Sequence, residues 1–211
     1  MLLEDIAQAV IEGDGERVVE LSRMALSEGL PAGKIINEGL IAGMNIVGQR
    51  FKEGEFFIPE VMMSARAMHG GLAVVKPLLK KTEQSSRGTI IICTVKGDVH
   101  DIGKNLVSMM LEGAGFRVID LGTDVAPEKL VLSVREHAPQ IVAMSTLLTT
   151  TLQRIPDAIA ALDAAGLRKN VKVMVGGAPV TQSFADRAGA DAYAPDAASA
   201  VDRAKQLLGL K

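Results

Sequence analysis

Asp98, His100 and Asp101 fall close together in the run Gly97-Asp98-Val99-His100-Asp101-Ile102-Gly103-Lys104-Asn105. A carboxylate beside an imidazole can fix the tautomer of the ring, and so decide which nitrogen offers a lone pair. The run follows an apolar β-branched segment, Thr89 to Val95, and leads into the apolar-periodic positions Leu106, Met109 and Met110. That context predicts a turn from a buried strand into a helix. In an open α/β sheet such turns line the crevice at the carboxyl ends of the strands, where ligands bind.

Four chemistries compete for this turn. Gly103-Lys104 matches the end of a phosphate-binding loop, but five residues rather than four separate Gly97 from Gly103. Asn105 also replaces the Ser or Thr that would hold magnesium, and Asp98 and Asp101 would repel phosphate. For zinc the chain offers only His69, His100, His137 and Cys93, with no pair at ligand spacing. His69 and His137 fall on predicted helices, as surface or partly packed residues. A hydrolase could use Ser145, Thr149 or Thr151 across the crevice from His100, yet the sequence has no G-x-S-x-G elbow. The fourth reading uses every residue. An imidazole whose distal nitrogen points out of the crevice suits one face of a metal already carried by a large ring, with the other nitrogen donating to Asp98. An exposed helix-capping histidine without a ligand would use the same residues.

The elements that must position this turn change character along the chain. Residues 1 to about 81 contain no convincing strand. Leu2, Ile6, Ala9 and Val10 share one helical face, and Val18, Val19, Leu21, Met24 and Ala25 mark a second helix over roughly 15–28. A third starts near Pro31 with Ile36, Leu40, Met44, Val47 and Phe51 in helical register. A fourth starts at Pro59 and presents Val61, Ala65, Met68, Leu72, Val75 and Leu79. Four amphipathic helices with short connections predict an antiparallel bundle. Periodicity is then lost in the polar segment from Lys80 to Gly88, a linker. The expected division is a helical cap domain over 1–84 and an α/β domain over 85–211.

Beyond the linker, strands near 89–95, 116–120, 140–145, 171–175 and 191–193 alternate with helices near 103–113, 127–137, 153–165, 181–188 and 197–209. Five such units predict a flavodoxin-like (Rossmann-like) five-stranded parallel sheet with helices on both faces.

Composition narrows the class further. Apolar residues make up 48% and aromatics only 3%, with no Trp, so the cores are expected to be aliphatic. A net charge of -2 gives no electrostatic reason for nucleic acid or an anionic membrane as partner. Cys93 is the only cysteine, so no disulfide can form within the chain, which suits a reducing cytoplasm. The opening Met1-Leu2-Leu3-Glu4-Asp5 lacks the pattern of a signal peptide, and no apolar run reaches the roughly 18 residues of a membrane span.

Asp98-x-His100-x-x-Gly103, followed by Ser145-x-Leu147 and then Gly176-Gly177, resembles the cobalamin-binding signature of methionine synthase and of the corrinoid proteins of methyltransferase systems. The stretch Thr94 to Asn105 is a particularly full match, and that family also places a four-helix cap before its sheet. The resemblance implies that cobalamin binds with its dimethylbenzimidazole base displaced and His100 as the lower cobalt ligand. Asp98 matches the hydrogen-bonding partner of that histidine. Thr151 stands where methionine synthase has a serine that extends the relay. Ser145, Leu147 and Thr149 match residues lining the slot for the displaced nucleotide tail. Gly176 and Gly177 would leave room for that tail, and Gly103 would let the cofactor pass close to its helix. Phe51 and Ile58, with Val61 alongside, match cap residues that shield the upper face of the corrin, methionine synthase having Leu at the second position.

The function so implied is a methyl carrier, without activity alone. A substrate-specific methyltransferase would load the cobalt, a second would unload it onto a thiol or tetrahydrofolate, and a corrinoid reductive activase is a further expected partner. A sensor or storage module for cobalamin is the alternative, and a mutase subunit a weaker third. The segment 82–88 is the expected hinge for opening the cap.

Overall fold

The computed structural model describes residues 2–78 and 86–210. Leu79 and most of the linker and hinge expected over 80–88 lie outside the described residues. The chain divides into two compact units, one formed by the helices up to residue 86 together with 112–115, the other by 87–111 and 116 onward.

The first unit contains the helices Leu2–Glu12 and Gly15–Ser27, then Ala32–Lys34 running through a π-helical stretch, Ile35–Ile41, into Ala42–Lys52, and finally Ile58–Val75. Asp14 caps the second helix by accepting from the Arg17 N–H at 2.9 Å. Glu60 reaches back to the Phe57 N–H at 3.0 Å and, with Pro59 in the first turn, fixes the start of the last helix. The third helix departs from its predicted face at one end. Ile35 is fully buried while Ile36 is only half-buried. A π turn takes in one residue more than an α turn, so Ile35 and Leu40, five apart, share the buried side. In the fourth helix Gly71 rather than Leu72 is buried. A Cβ on Gly71 would come within 2.7 Å of Leu40 and 2.8 Å of Val18, so a bare backbone is what lets the helices approach.

The second unit is a five-stranded sheet of β1 (Thr89–Thr94), β2 (Arg117–Asp120), β3 (Ile141–Ser145), β4 (Lys172–Gly176) and β5 (Ala192–Ala194). All pairs are parallel, in the order β2-β1-β3-β4-β5, which is the flavodoxin-like order. Ile91, Cys93, Val142, Met144, Val173 and Val175 point to one face and pack against the helices Pro127–His137, Arg154–Ala164 and Gln182–Ala188. By strand alternation Ile90, Ile92, Ile141, Ala143 and Met174 point the other way, and all are buried as well. The helix Ala197–Leu207 packs on β4 and β5 from outside the first core, so both faces of the sheet are covered. Among the described residues no helix is long and apolar enough to cross a membrane.

Two features of the sheet place the site. The register sets Thr94 beside Ser145, Ser145 beside Gly176, and Gly176 beside Ala194, one row at the carboxyl ends of four strands. The strand order reverses between β1 and β3, and a ligand crevice opens at such a switch point. The loops leaving β1 and β3 therefore flank it.

Candidate functional site

The loop after β1 is held by its own backbone before any side chain contributes. The Asp98 N–H donates to the Val95 carbonyl at 3.1 Å, closing a turn in which Gly97 has φ +81°. Only glycine adopts that angle cheaply. The Gly97 N–H donates to Asp124 Oδ1 at 2.8 Å, and the Asp124 N–H donates in return to the Asp98 carbonyl at 2.9 Å. Thr94, buried at the end of β1, donates its hydroxyl to the His100 carbonyl at 2.8 Å.

Asp98 is the centre of the arrangement. It has no exposed surface, yet both of its oxygens are fully engaged. Oδ1 accepts from the His100 backbone N–H at 3.0 Å and pairs with His100 Nδ1 at 2.7 Å. Oδ2 accepts from the Leu147 N–H at 2.7 Å, the Leu148 N–H at 3.3 Å and the hydroxyls of Thr146 and Thr151 at 3.0 and 3.3 Å. Burial alone would raise the pKa of this carboxyl. The N–H groups of His100 and Leu147, the His100 ring and the Thr146 hydroxyl outweigh it and hold the group well below the usual carboxylate range.

An ionised Asp98 determines the state of the imidazole. A carboxylate only accepts, so Nδ1 of His100 carries a proton, and the neutral ring offers its lone pair at Nε2. The side chain of His100 is 46% exposed while that of Asp98 is enclosed, so the ring is held from inside and free to bind outside. Beside it in the chain Val99 and Ile102 are 71% and 76% exposed, and Leu147 and Leu148, tethered to Asp98, are half open to solvent. A Cβ on Gly103 would meet nothing within 4 Å. One oriented nitrogen among exposed apolar side chains, with open space at Gly103, fits a broad apolar ring that carries its own metal.

The competing chemistries fit less well. Lys104 is buried and its ammonium group is engaged by Asp120 and by Asn105 Oδ1, so it is not offered to a phosphate. The hydroxyls of Thr146 and Thr151 bond to the carboxylate, at the opposite end of the pair from His100 Nε2, where no nucleophile of a hydrolase would stand.

Of the residues singled out from the sequence, Asp98, His100, Leu147 and Thr151 meet in one hydrogen-bonded group. Ser145 ends β3, half-buried, and Thr149 is exposed in the short turn Thr149–Thr151. Gly176 and Gly177 are also required by the fold. A Cβ on Gly176 would lie 2.8 Å from the Ala194 carbonyl oxygen, and one on Gly177, at φ +119°, would overlap that of Thr146. Phe51, Ile58 and Val61 belong to the helical unit, where Phe51 is half-buried, Ile58 is 43% exposed and Val61 is fully buried. Sequence reasoning passed over Thr146, Thr94 and Asp124. A hydroxyl residue following directly on an apolar strand was the available signal for Thr146.

Known proteins resemble the chain over both units. A B12 binding domain family model matches residues 88–202, and a second model with the same description matches residues 2–76. A corrinoid protein of Desulfitobacterium hafniense is 44% identical, covering 99% of this chain and 98% of its own. A dimethylamine corrinoid protein of Methanosarcina acetivorans is 47% identical over 98% of this chain and 97% of its own. Among solved structures, a methanol:cobalamin methyltransferase complex from Methanosarcina barkeri aligns with a TM-score of 0.90 at 33% identity, covering 99% of this chain and 80% of that one.

Proposed function

The chain belongs to the family of B12-binding corrinoid proteins, and from that premise we propose that it carries a methyl group on cobalamin between two methyltransferases. The cofactor, when bound, supplies a cobalt centre able to accept a methyl group and give it up. His100 would hold the cobalt through Nε2, in place of the cofactor's own base. Asp98 keeps the Nδ1 proton in place and so keeps the lone pair on the outward nitrogen. Thr151 and Thr146 tie Asp98 to the loop after β3. Val99, Ile102, Leu147 and Leu148 supply apolar contact around His100, and Gly103 leaves space above its helix. Ser145, Leu147, Thr149, Gly176 and Gly177 line the slot for the displaced nucleotide tail. The helical unit contributes Phe51 and Ile58 to shield the methyl-bearing face from water, whereas Val61 is fully buried and offers that face no surface.

The partners follow from the same division of labour. One methyltransferase would recognise the methyl donor and load the carrier, a second would pass the methyl group to a thiol or tetrahydrofolate, and a corrinoid reductive activase would be the third partner. Relatives named for dimethylamine and trimethylamine, and a complex named for methanol, support small methylated amines or methanol as donor.

The carrying observation is the pair formed by a buried, saturated Asp98 and an exposed His100 with a free Nε2. Reconstitution with hydroxocobalamin tests it by visible absorbance. The wild type is expected to take up the corrinoid and show the spectrum of a cobalt ligated by histidine. His100→Ala keeps the fold, since the ring is half exposed, but shifts that spectrum. Identical spectra for the two proteins would remove His100 from the metal, and no uptake by the wild type would remove the function.

A further inference from the structure

The geometry points to Thr146 as a positioning residue that moderates the charge of Asp98 and carries the hydroxyl of Thr151 to it. This rests on the reading of His100 as the cobalt ligand. Thr146 stands at the unspecified middle position of Ser145-x-Leu147, so nothing in that element requires a hydroxyl there. The structure nevertheless encloses this side chain completely.

Two hydroxyl protons are shared among several acceptors. Thr146 Oγ1 lies 2.6 Å from Thr151 Oγ1 and 3.0 Å from Asp98 Oδ2, whereas Thr151 Oγ1 reaches the same Oδ2 only at 3.3 Å. If Thr146 gives its single proton to the carboxylate, Thr151 can give its own to Thr146, and both short contacts are satisfied. The opposite order would leave the anion either the 3.3 Å contact from Thr151 alone or, with Thr151 donating to the Leu148 carbonyl at 3.0 Å, no hydroxyl bond at all. A hydrogen bond to an ionised group is about twice as strong as a neutral one, so the first order prevails. Thr151 therefore acts through Thr146.

The consequence reaches His100 through the other oxygen. Every donor on Oδ2 withdraws negative charge from the carboxylate, and the charge left on Oδ1 sets how strongly it attracts the Nδ1 proton of His100. A stronger pull on that proton makes Nε2 a better donor to a metal. The Leu147 and Leu148 amides are fixed by the backbone. A hydroxyl is the adjustable member of the set. Its presence weakens the imidazole as a ligand, so this hydroxyl would set how tightly His100 holds a metal.

Thr146→Val keeps the shape of the side chain and removes the hydroxyl, and Thr146→Ser keeps the hydroxyl. The first measurement needs no cofactor. In the protein without corrinoid, the proton on His100 Nδ1 is expected to move downfield in the NMR spectrum of Thr146→Val and to return to its wild-type position in Thr146→Ser. The second measurement is titration with hydroxocobalamin, where Thr146→Val is expected to favour the histidine-ligated form by roughly fivefold, less than the full effect of one hydrogen bond to a charged group. An unmoved or upfield proton in a folded Thr146→Val protein overturns the proposal, because the charge of Asp98 would then not depend on the Thr146 hydroxyl. A loss of thermal stability without a shift of the proton has the same meaning. Should the proton move as expected while the wild type binds no corrinoid, the moderating role stands and the cofactor reading falls.

Discussion

The two oxygens of Asp98 divide their work, and that division predicts what a neutral replacement does. Asp98→Asn keeps an acceptor for His100, but its amide must face the Leu147 and Leu148 N–H groups with a donor of its own. Buried donors then lack partners, and we expect a loss of about 3 kcal/mol at neutral pH, measured by urea unfolding. The pH dependence has a definite sign. The folded pKa of Asp98 lies below its ordinary 3.8, so its stabilisation is complete above that value and is lost as pH falls through the folded value. The stability gap between wild type and Asp98→Asn should accordingly narrow on acidification below about pH 4. A gap constant from neutral to acid pH would show that Asp98 is not held ionised. Asp98 and His100 were legible because they lie two residues apart, so their pairing is local chemistry. Thr146 was not, because its partner lies 48 positions away, and only strand register brings the two loops together.

At the scale of elements, the row Thr94, Ser145 and Gly176 ties the site to the sheet, and two glycines near it answer to opposite constraints. Gly177 lies against the Thr146 carbonyl at a left-handed φ, so Gly177→Ala should displace the loop that delivers the Leu147 and Leu148 amides and the Thr146 hydroxyl to Asp98, and cost about 3 kcal/mol or more. Gly103 opens the helix Ile102–Gly113 with nothing near its absent Cβ. Gly103→Ala should therefore leave the protein as stable or more so by up to about 1 kcal/mol, through helix propensity, yet weaken hydroxocobalamin binding. Thermal unfolding without corrinoid, set against a binding titration, separates the two variants, and unchanged binding by Gly103→Ala would show that the open space does not serve the ring. The strands were legible to within about a residue, because parallel strands buried on both faces read as unbroken apolar runs. The π turn at Ile35–Ile41 was not, since apolar residues stand at both 35 and 36 and the spacing alone favours the α register. Gly71 escaped for a related reason. Periodicity marks large side chains, whereas a close helix crossing selects the absence of one.

For the whole molecule the question is whether the corrinoid is cargo or a working part. The sheet unit provides one ligand at a switch point between β1 and β3, and the helical unit is a separate compact body with its own core. Storage of the cofactor requires retention alone. A carrier must gain and lose a methyl group at the same cobalt while two partners reach it in turn, and it has no use for a donor or acceptor site of its own. These demands separate in one experiment. The corrinoid-loaded protein is reduced and mixed with dimethylamine or methanol, each with and without the corresponding methyltransferase. A carrier shows no change with the donor alone, a conversion of its visible spectrum once the cognate methyltransferase is present, and reversal when a thiol and its own methyltransferase follow. A storage protein keeps one spectrum throughout. Should neither donor with its methyltransferase convert a protein that nevertheless holds the corrinoid through His100, the ligand assignment would survive and the carrier function would not.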